Sequence, residues 1–334
     1  MYKKKVTIND IAKKAKVSPT SVSLILNNRS DARIPATTRD AVLAAAGSLG
    51  YIVKPKNTGN ARTIMFVHGN IHSSNIGTSF FSMVASEMRT AAAKYGMHII
   101  ETEFQDDDSL LRFNAMLAAS PAAFVSYTGA FSAFLKTQQV KIPLFTLQGQ
   151  DDPDGAVNYI VDDYMVGEYA AKHLLAQGYR KAGIVFPKIT PRCAEDRYEG
   201  FTAAFKTADS ACKLHELADY SHAAVETFMM TVPLTCDSWY FFSDACALAG
   251  MRSLLRRGVA VPKDAGVIGT DNLYWSRFFN PSLTTMDLNE RVFAERIIDD
   301  VHGFLGGRSY TPLTVRIPVS LIERESTARR NKAV

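Results

Sequence analysis

The chain has four cysteines in 334 residues, Cys193, Cys212, Cys236 and Cys246, and no two form a C-x-x-C pair. That argues against a disulfide framework or a thiolate zinc site and leaves reduced core or surface thiols, as in a cytosolic protein. No run of 18 apolar residues occurs, so no membrane-spanning helix is expected. Lys3, Lys4 and Lys5 look like the basic start of a secretion signal, but the following Val6-Thr7-Ile8-Asn9-Asp10-Ile11 has no apolar core. Catalytic signatures are missing too: there is no H-E-x-x-H, no G-x-S-x-G, no P-loop, and no G-x-G-x-x-G after the first expected strand. The seven histidines are scattered without metal spacing on one helix face, and His68 and His72 fall in an expected loop. Asp106-Asp107-Asp108 reads as a helix start before Ser109, not as a metal box. No catalytic residue, metal or cofactor is expected.

What is present is unevenly distributed. Residues 1–60 hold eleven Lys/Arg against three Asp/Glu, a balance of +8. The whole chain is only +5, so the remainder carries −3. A basic head on a slightly acidic body is the footprint of a nucleic-acid-binding module joined to something else. The basic residues are interleaved with a helical apolar pattern, which sets them apart from a solubilising tail.

Three helices are expected in that head. Thr7-Ile8-Asn9-Asp10 has the layout of a capping box, and Ile8, Ile11, Ala12 and Ala15 then repeat at helical spacing. Ser18 and Pro19 supply a second start, followed by the stripe Val22, Ile25 and Leu26. A third helix begins near Pro35-Ala36, is expected to bury Val42, Leu43, Ala46 and Leu49, and stops at Gly50. Only Lys16 and Val17 separate the first two, so this is a helix-turn-helix. The second helix exposes Ser18, Pro19, Thr20, Ser21, Ser23, Leu24 and Asn27, short groups that can approach phosphates and base edges closely. Its N-terminus offers free N–H groups to a phosphate. A plain bundle or a protein-docking module has the same helices but gives no reason for the +8 balance.

The run from Val6 to Ser23 resembles the N-terminal signature of the LacI/GalR repressors, and Thr38-Arg39, Val42 and Gly50-Tyr51 continue the match. The resemblance implies DNA contacts from Thr7, Ser18, Pro19, Thr20, Ser21, Ser23, Leu24, Asn27, Thr38 and Tyr51. Two positions depart from it. Lys16 stands where the family has a small turn residue, and Leu24 where an Arg or His commonly reads a base. Leucine cannot donate to guanine but packs on a thymine methyl. The connector Ile52–Arg62 is shorter than the family's, contains Pro55 and Gly59, and has no leucine to wedge into the minor groove. It reads as a basic flexible linker whose Lys54, Lys56 and Arg62 meet phosphates.

From residue 63 the pattern alternates between strand and helix. β-rich runs at Ile64–Val67, Ala123–Val125, Leu144–Thr146, Ala182–Phe186, Trp239–Phe242 and Gly266–Gly269 are separated by helical stretches such as Ser82–Tyr95, Met165–Gln177 and Ala245–Arg257. About 265 residues is too long for one compact sheet. The fold class expected is a small all-α helix-turn-helix head followed by an α/β body of two doubly wound lobes. The LacI/GalR resemblance extends over this body through Asp162, Gly167, Ala170, His173-Leu174, Gly178-Tyr179-Arg180, Ile184, Arg197-Tyr198-Glu199-Gly200-Phe201, Val267–Asn272, Pro281–Met286 and Ile322–Thr327. It implies a periplasmic-binding-protein-like body. The domains expected are a head at 1–52, a linker at 53–62 and a body at 63–327. Lobe 1 takes about 63–160 and 288–318, lobe 2 about 161–287 and 319–327, with a tail at 328–334.

The resemblance further implies an effector held between the lobes. Its Arg and Asp, which bind vicinal hydroxyls or a carboxylate, fall on Arg197 and Asp271. Phe80, Phe81 and Tyr220 match aromatic walls, and Trp275 is a further candidate. Gln148 stands where many members have Asp, and Ser243 where many have Asn. Taken alone, each has a plainer reading. Phe80 and Phe81 read as core before they read as a wall, Arg197 as an ion-pair partner, and Asp271 as the cap of the turn at Trp275. The expected function is a DNA-binding repressor, cytoplasmic, dimeric on a pseudo-palindromic operator, with a saccharide effector. The tail has no heptads for further assembly. A sugar-metabolising enzyme or a plain binding protein carrying a DNA-binding head is the competing class, and a periplasmic receptor a third.

Overall fold

The computed structural model describes residues 6–26, 34–51, 62–69, 78–104, 109–127, 129–138, 140–148, 156–188, 192–309 and 313–328. Asn27, Lys54, Lys56, nearly all of the connector, most of the loop from His68 to Ser79, the acidic triplet at 106–108 and all but the first residue of the tail lie outside them. The described residues within Met1–Asn70, Arg89–Asn158 and Asp300–Leu313 form one compact unit. Those within Ile71–Met88, Tyr159–Asp299 and Thr314–Val334 form the other. None of the described helices is long and apolar enough to cross a membrane.

The first unit starts with three helices, α1 (Ile8–Ala15), α2 (Pro19–Leu26) and α3 (Ala36–Leu49). Their limits follow the caps read in the sequence. Thr7 and Asp10 close a reciprocal capping box, and Gly50 ends α3 in the left-handed region at φ 69°. Lys16 ends α1 in the same region, at φ 56°, where a residue without a Cβ is favoured. Ile11, Val22, Ile25, Leu26, Val42 and Ala46 are buried, while Leu43 and Leu49 are only half-buried; Ala45 takes the inner position instead. These side chains form one apolar cluster with Phe113, Met116 and Leu117 of α5 (Ser109–Ala118).

The α/β part of the chain builds two sheets. One has β1 (Thr63–His68), β2 (His98–Glu103), β3 (Ala123–Ser126), β4 (Leu144–Leu147), β5 (Val157–Val161) and β11 (Leu313–Ile317), in the order β11-β5-β4-β3-β1-β2. Its β1–β2, β1–β3 and β3–β4 pairs are parallel. The other has β6 (Lys181–Pro187), β7 (Ala211–Leu217), β8 (Ser238–Phe241), β9 (Gly266–Thr270), β10 (Thr284–Asp287) and β12 (Ser320–Ile322), in the order β12-β10-β9-β8-β6-β7. It is parallel except for the β10–β12 pair at its edge. Crossovers carry helices, as parallel pairing requires.

In the second unit, α7 (Asp163–Ala176) and α8 (Arg192–Thr207) touch backbone to backbone. A Cβ on Gly167 would stand 1.9 Å from the Arg197 carbonyl oxygen, and one on Gly200 2.1 Å from that of Tyr164. This close approach brings the first turn of α7 beside Arg197. Gly167→Ala is therefore expected to lower stability by about 1–3 kcal/mol or more, because a backbone carbonyl cannot swing aside as a side chain can. A urea midpoint equal to that of the parent chain would contradict it.

Candidate functional site

In the head, Ser18 Oγ caps α2, accepting from Ser21 N at 3.0 Å and lying 2.9 Å from Ser21 Oγ. Ser18, Pro19 and Thr20 are exposed, while Ser21, Ser23 and Leu24 are half-buried around the start and middle of the helix. No charged residue lies on α2. The nearby positive charge comes from Lys13, Lys14 and Lys16 at the end of α1, all exposed. The Thr7 hydroxyl is engaged by Asp10, to which it donates at 2.6 Å, and Thr38 is half-buried. Tyr51 is half-buried against the shared apolar cluster, which pushes its phenol above the usual tyrosine range, and its carbonyl accepts from Asn114 Nδ2 at 2.6 Å. The head thus presents a helix whose capped N-terminus and short hydroxyls face outward.

The second polar centre lies at the C-terminal ends of β8 and β9. Arg197 is 4% exposed. Its Nε donates to Asp163 Oδ1 at 2.8 Å, its Nη1 donates to the Phe242 carbonyl at 3.2 Å, and its guanidinium stands 4.6 Å from the centre of the Phe242 ring. Burial is the largest single influence and works against the charge of Arg197, but Asp163, together with Cys193, Tyr240 and Asp271, outweighs it and raises the guanidinium above its usual range. The same burial raises the Asp163 carboxyl to about 6, with Arg197 holding it back from going further. Asp163 was not among the residues singled out from the sequence; the neighbouring Asp162 proves to be the N-cap of α7, accepting from Met165 N.

Asp271 follows β9 at φ 109° and is 8% exposed. Burial first, and then the charge of Asp244, push its carboxyl well above the usual range, while Arg197 pulls it back. The turn at Tyr274–Arg277 has no side-chain cap, from Asp271 or any other residue, and is instead tied down by Asp244. Asp244 Oδ2 accepts from Leu273 N at 2.9 Å and Ser276 Oγ at 2.5 Å, and its Oδ1 accepts from Thr285 Oγ1 at 2.5 Å. Ser243, one residue earlier, caps α10 (Asp244–Arg256) by accepting from Cys246 N at 3.4 Å.

Of the aromatics, Tyr220 is buried with its hydroxyl committed to backbone, donating to the Val185 carbonyl at 3.0 Å and accepting from Phe242 N at 2.9 Å. Its role in the fold is to hold the end of β6 to the residue after β8. Phe80 and Phe81, in the first turn of α4 (Thr78–Lys94), are buried and meet edge-on, and Phe80 also meets Phe293 of α11 (Glu290–Leu305) at 5.8 Å. Trp275 is 66% exposed and contacts Tyr274 edge-on, outside the Arg197 cluster. Gln148 ends β4 in the other unit at φ 50°. The structure therefore gathers Arg197, Asp271, Tyr220 and Ser243, and adds Asp163, Asp244 and Tyr240. Among the described residues no three of His, Cys, Asp and Glu converge to hold a metal ion.

The class the fold defines is a helix-turn-helix head followed by two mainly parallel α/β sheets, with a buried Arg–Asp cluster at strand ends. Comparison with known proteins makes the assignment. Residues 7–53 match the model of bacterial regulatory proteins of the lacI family, and residues 171–327 that of the periplasmic binding protein-like domain. A transcriptional repressor, PurR, of Mannheimia succiniciproducens is 26% identical over 340 residues, covering 97% of this chain and 99% of its own. Among solved structures, a LacI family transcriptional regulator from Enterococcus faecium with bound ribose superposes with a TM-score of 0.67 at 21% identity, covering 80% of this chain and 98% of its own. The lac repressor dimer bound to operator and an anti-inducer gives 0.67 at 19%, covering 98% and 100%. The head therefore carries a lacI-family DNA-binding domain and the body a periplasmic binding protein-like domain.

Proposed function

We propose that this chain is a sequence-specific DNA-binding repressor whose operator affinity is set by a small polyhydroxylated effector, a saccharide, held by Arg197 and Asp271. The observation that carries the reading is the outward hydroxyl face of α2, capped by Ser18 and flanked by the lysines of α1. One such helix spans only a half-site, so the acting species is a homodimer on a pseudo-palindrome. Full-length similarity to PurR and the likeness to an operator-bound dimer support this. Guanidinium and carboxylate each offer two parallel hydrogen-bonding atoms, a match for adjacent hydroxyls, and the ribose-bound relative supports that chemistry. Ligand returning unchanged from incubation separates this regulator from an enzyme with a DNA-binding head, which would turn it over.

The test is selection of binding sites from random duplexes, followed by operator titration with and without a panel of saccharides. Two-fold symmetric sites are expected, with affinity falling steeply as salt rises. A sugar that shifts operator affinity in the parent chain should lose its effect in Asp271→Ala; an undiminished effect there would remove Asp271 from the site. At the base pair facing residue 24 the selection should not demand guanine. Leu24→Arg should impose guanine there, with about 1–3 kcal/mol of discrimination. A strict guanine already selected by the parent chain would contradict the apolar readout.

A further inference from the structure

The second unit buries more acid than it can neutralise. Asp163, Asp244, Asp271 and Glu290 are all buried, and among the described residues Arg197 is the only buried lysine or arginine. Asp163 takes up that guanidinium, and Asp244 is satisfied by its three donors. Asp271 accepts from the Asp244 backbone amide and feels Arg197, whereas Glu290 accepts only from its own backbone amide.

Glu290 opens α11 and is 9% exposed, and its Oε1 has no hydrogen-bond partner. The charges it feels are all acidic: Asp287 just before the helix, Asp244 of α10 and Glu87 of α4. Asp271 feels it in turn. One helical turn further on, Phe293 meets Phe80, so the carboxyl has an aromatic pair on its own helix face. A second observation is independent of the acids. The Tyr240 hydroxyl on β8 and the Thr270 hydroxyl on β9 are fully buried and have only a loose contact with one another, and Tyr240 lies within electrostatic reach of Arg197, Asp163 and Asp271. Buried donors and acceptors left open are costly unless something arrives to use them.

We propose that Glu290 is a specificity-determining residue of the effector site and that the effector is a polyhydroxylated amine, in chemistry an amino sugar, whose ammonium seats on Glu290 while Arg197 and Asp271 take hydroxyls. This rests on the effector reading above. A phosphorylated or acidic sugar would add an anion beside these carboxyls, and a neutral sugar would offer Glu290 only hydroxyl hydrogen bonds, with no charge to draw it into its ionised form. In the free protein, burial raises the Glu290 carboxyl to about 8, so it is protonated at pH 7. An ammonium ionises it, and binding releases a proton to solvent.

The test is calorimetric titration of the full chain at pH 7, in two buffers of different ionisation enthalpy. The probes are glucosamine, galactosamine and mannosamine, their parent hexoses, and the hexose 6-phosphates. At least one amino sugar is expected to bind about tenfold or more tighter than its parent, with proton release, and the phosphates not at all. In Glu290→Gln the amine preference and the proton release should vanish. Glu290→Met, uncharged and of similar volume, should behave alike, which guards against a folding artefact. A parent or phosphate binding as well as the amine, or a preference that survives in Glu290→Gln, overturns the amine assignment and leaves the saccharide reading intact. Silence from all nine probes overturns both.

Discussion

Asp244→Ala is expected to lower the unfolding free energy of the second unit by about 3–5 kcal/mol, since each orphaned buried donor costs about 1–3 kcal/mol and relaxation recovers part. Three donors converge on this carboxylate: the Leu273 amide and the hydroxyls of Ser276 and Thr285. Nothing can slide in to replace it, because Asp244 is packed so tightly that a Cβ on Gly269 would stand 2.3 Å from its Oδ1. Asp244→Asn should be much milder. An amide oxygen can keep Leu273 and Ser276, and the Thr285 hydroxyl can turn to accept from the new NH2. Both tryptophans, buried Trp239 and exposed Trp275, belong to this unit, so their fluorescence through a urea titration reads the loss directly.

The same carboxyls give the unit a pH dependence of definite sign. Asp163, Asp244 and Glu290 are raised to about 6, about 7 and about 8, from ordinary values of 3.8, 3.8 and 4.5. In each case burial is the leading cause. Between those limits the folded state binds more protons than the unfolded chain, so stability falls as pH rises. It is fully present below about pH 4 for these groups and is lost progressively up to about pH 8. A urea midpoint higher at pH 5.5 than at pH 8.5 is expected, with a shallower slope in Asp244→Asn. A midpoint rising with pH would contradict the burial of these acids.

Local chemistry made much of this legible in the sequence. Caps are read from single residues, so Thr7, Ser18 and Gly50 placed the head's helices. The six β-rich runs each fall on a strand because central strands of a parallel sheet are buried on both faces. β2 and β7 left no such run. They lie at sheet edges, where His98, Glu101 and Glu103, or Lys213, His215 and Glu216, break the apolar pattern. In the site, Arg197 and Asp271 were visible through the LacI/GalR resemblance, but what they need was not. Asp163 sits 34 residues from Arg197 and Asp244 lies 27 before Asp271, separations that only the glycine-tight crossing of α7 on α8 and the β8–β9 pairing bring together. Tyr220 shows the converse: an aromatic at a matching position turned out to spend its hydroxyl on backbone.

Arg197→Ala separates the structural from the binding role of the cluster. Removing the guanidinium strands Asp163 in the interior, a loss of about 3–5 kcal/mol for a buried pair broken on one side. The loss should grow as pH rises, because the carboxyl escapes part of its penalty by protonating. Asp163→Ala added to Arg197→Ala should return part of that stability, since no buried charge is then left uncompensated. Arg197→Lys cannot rescue fully: one ammonium cannot bond Asp163 and the Phe242 carbonyl while lying flat on the Phe242 ring. Effector response should follow a different rule. It should vanish in Arg197→Ala and stay absent in the stability-restored double variant, while effector-free operator affinity is kept, the head being in the other unit. A double variant that folds well and still responds to effector would leave Arg197 a purely structural residue, and the effector would then have to be sought around Asp271 and Glu290 alone.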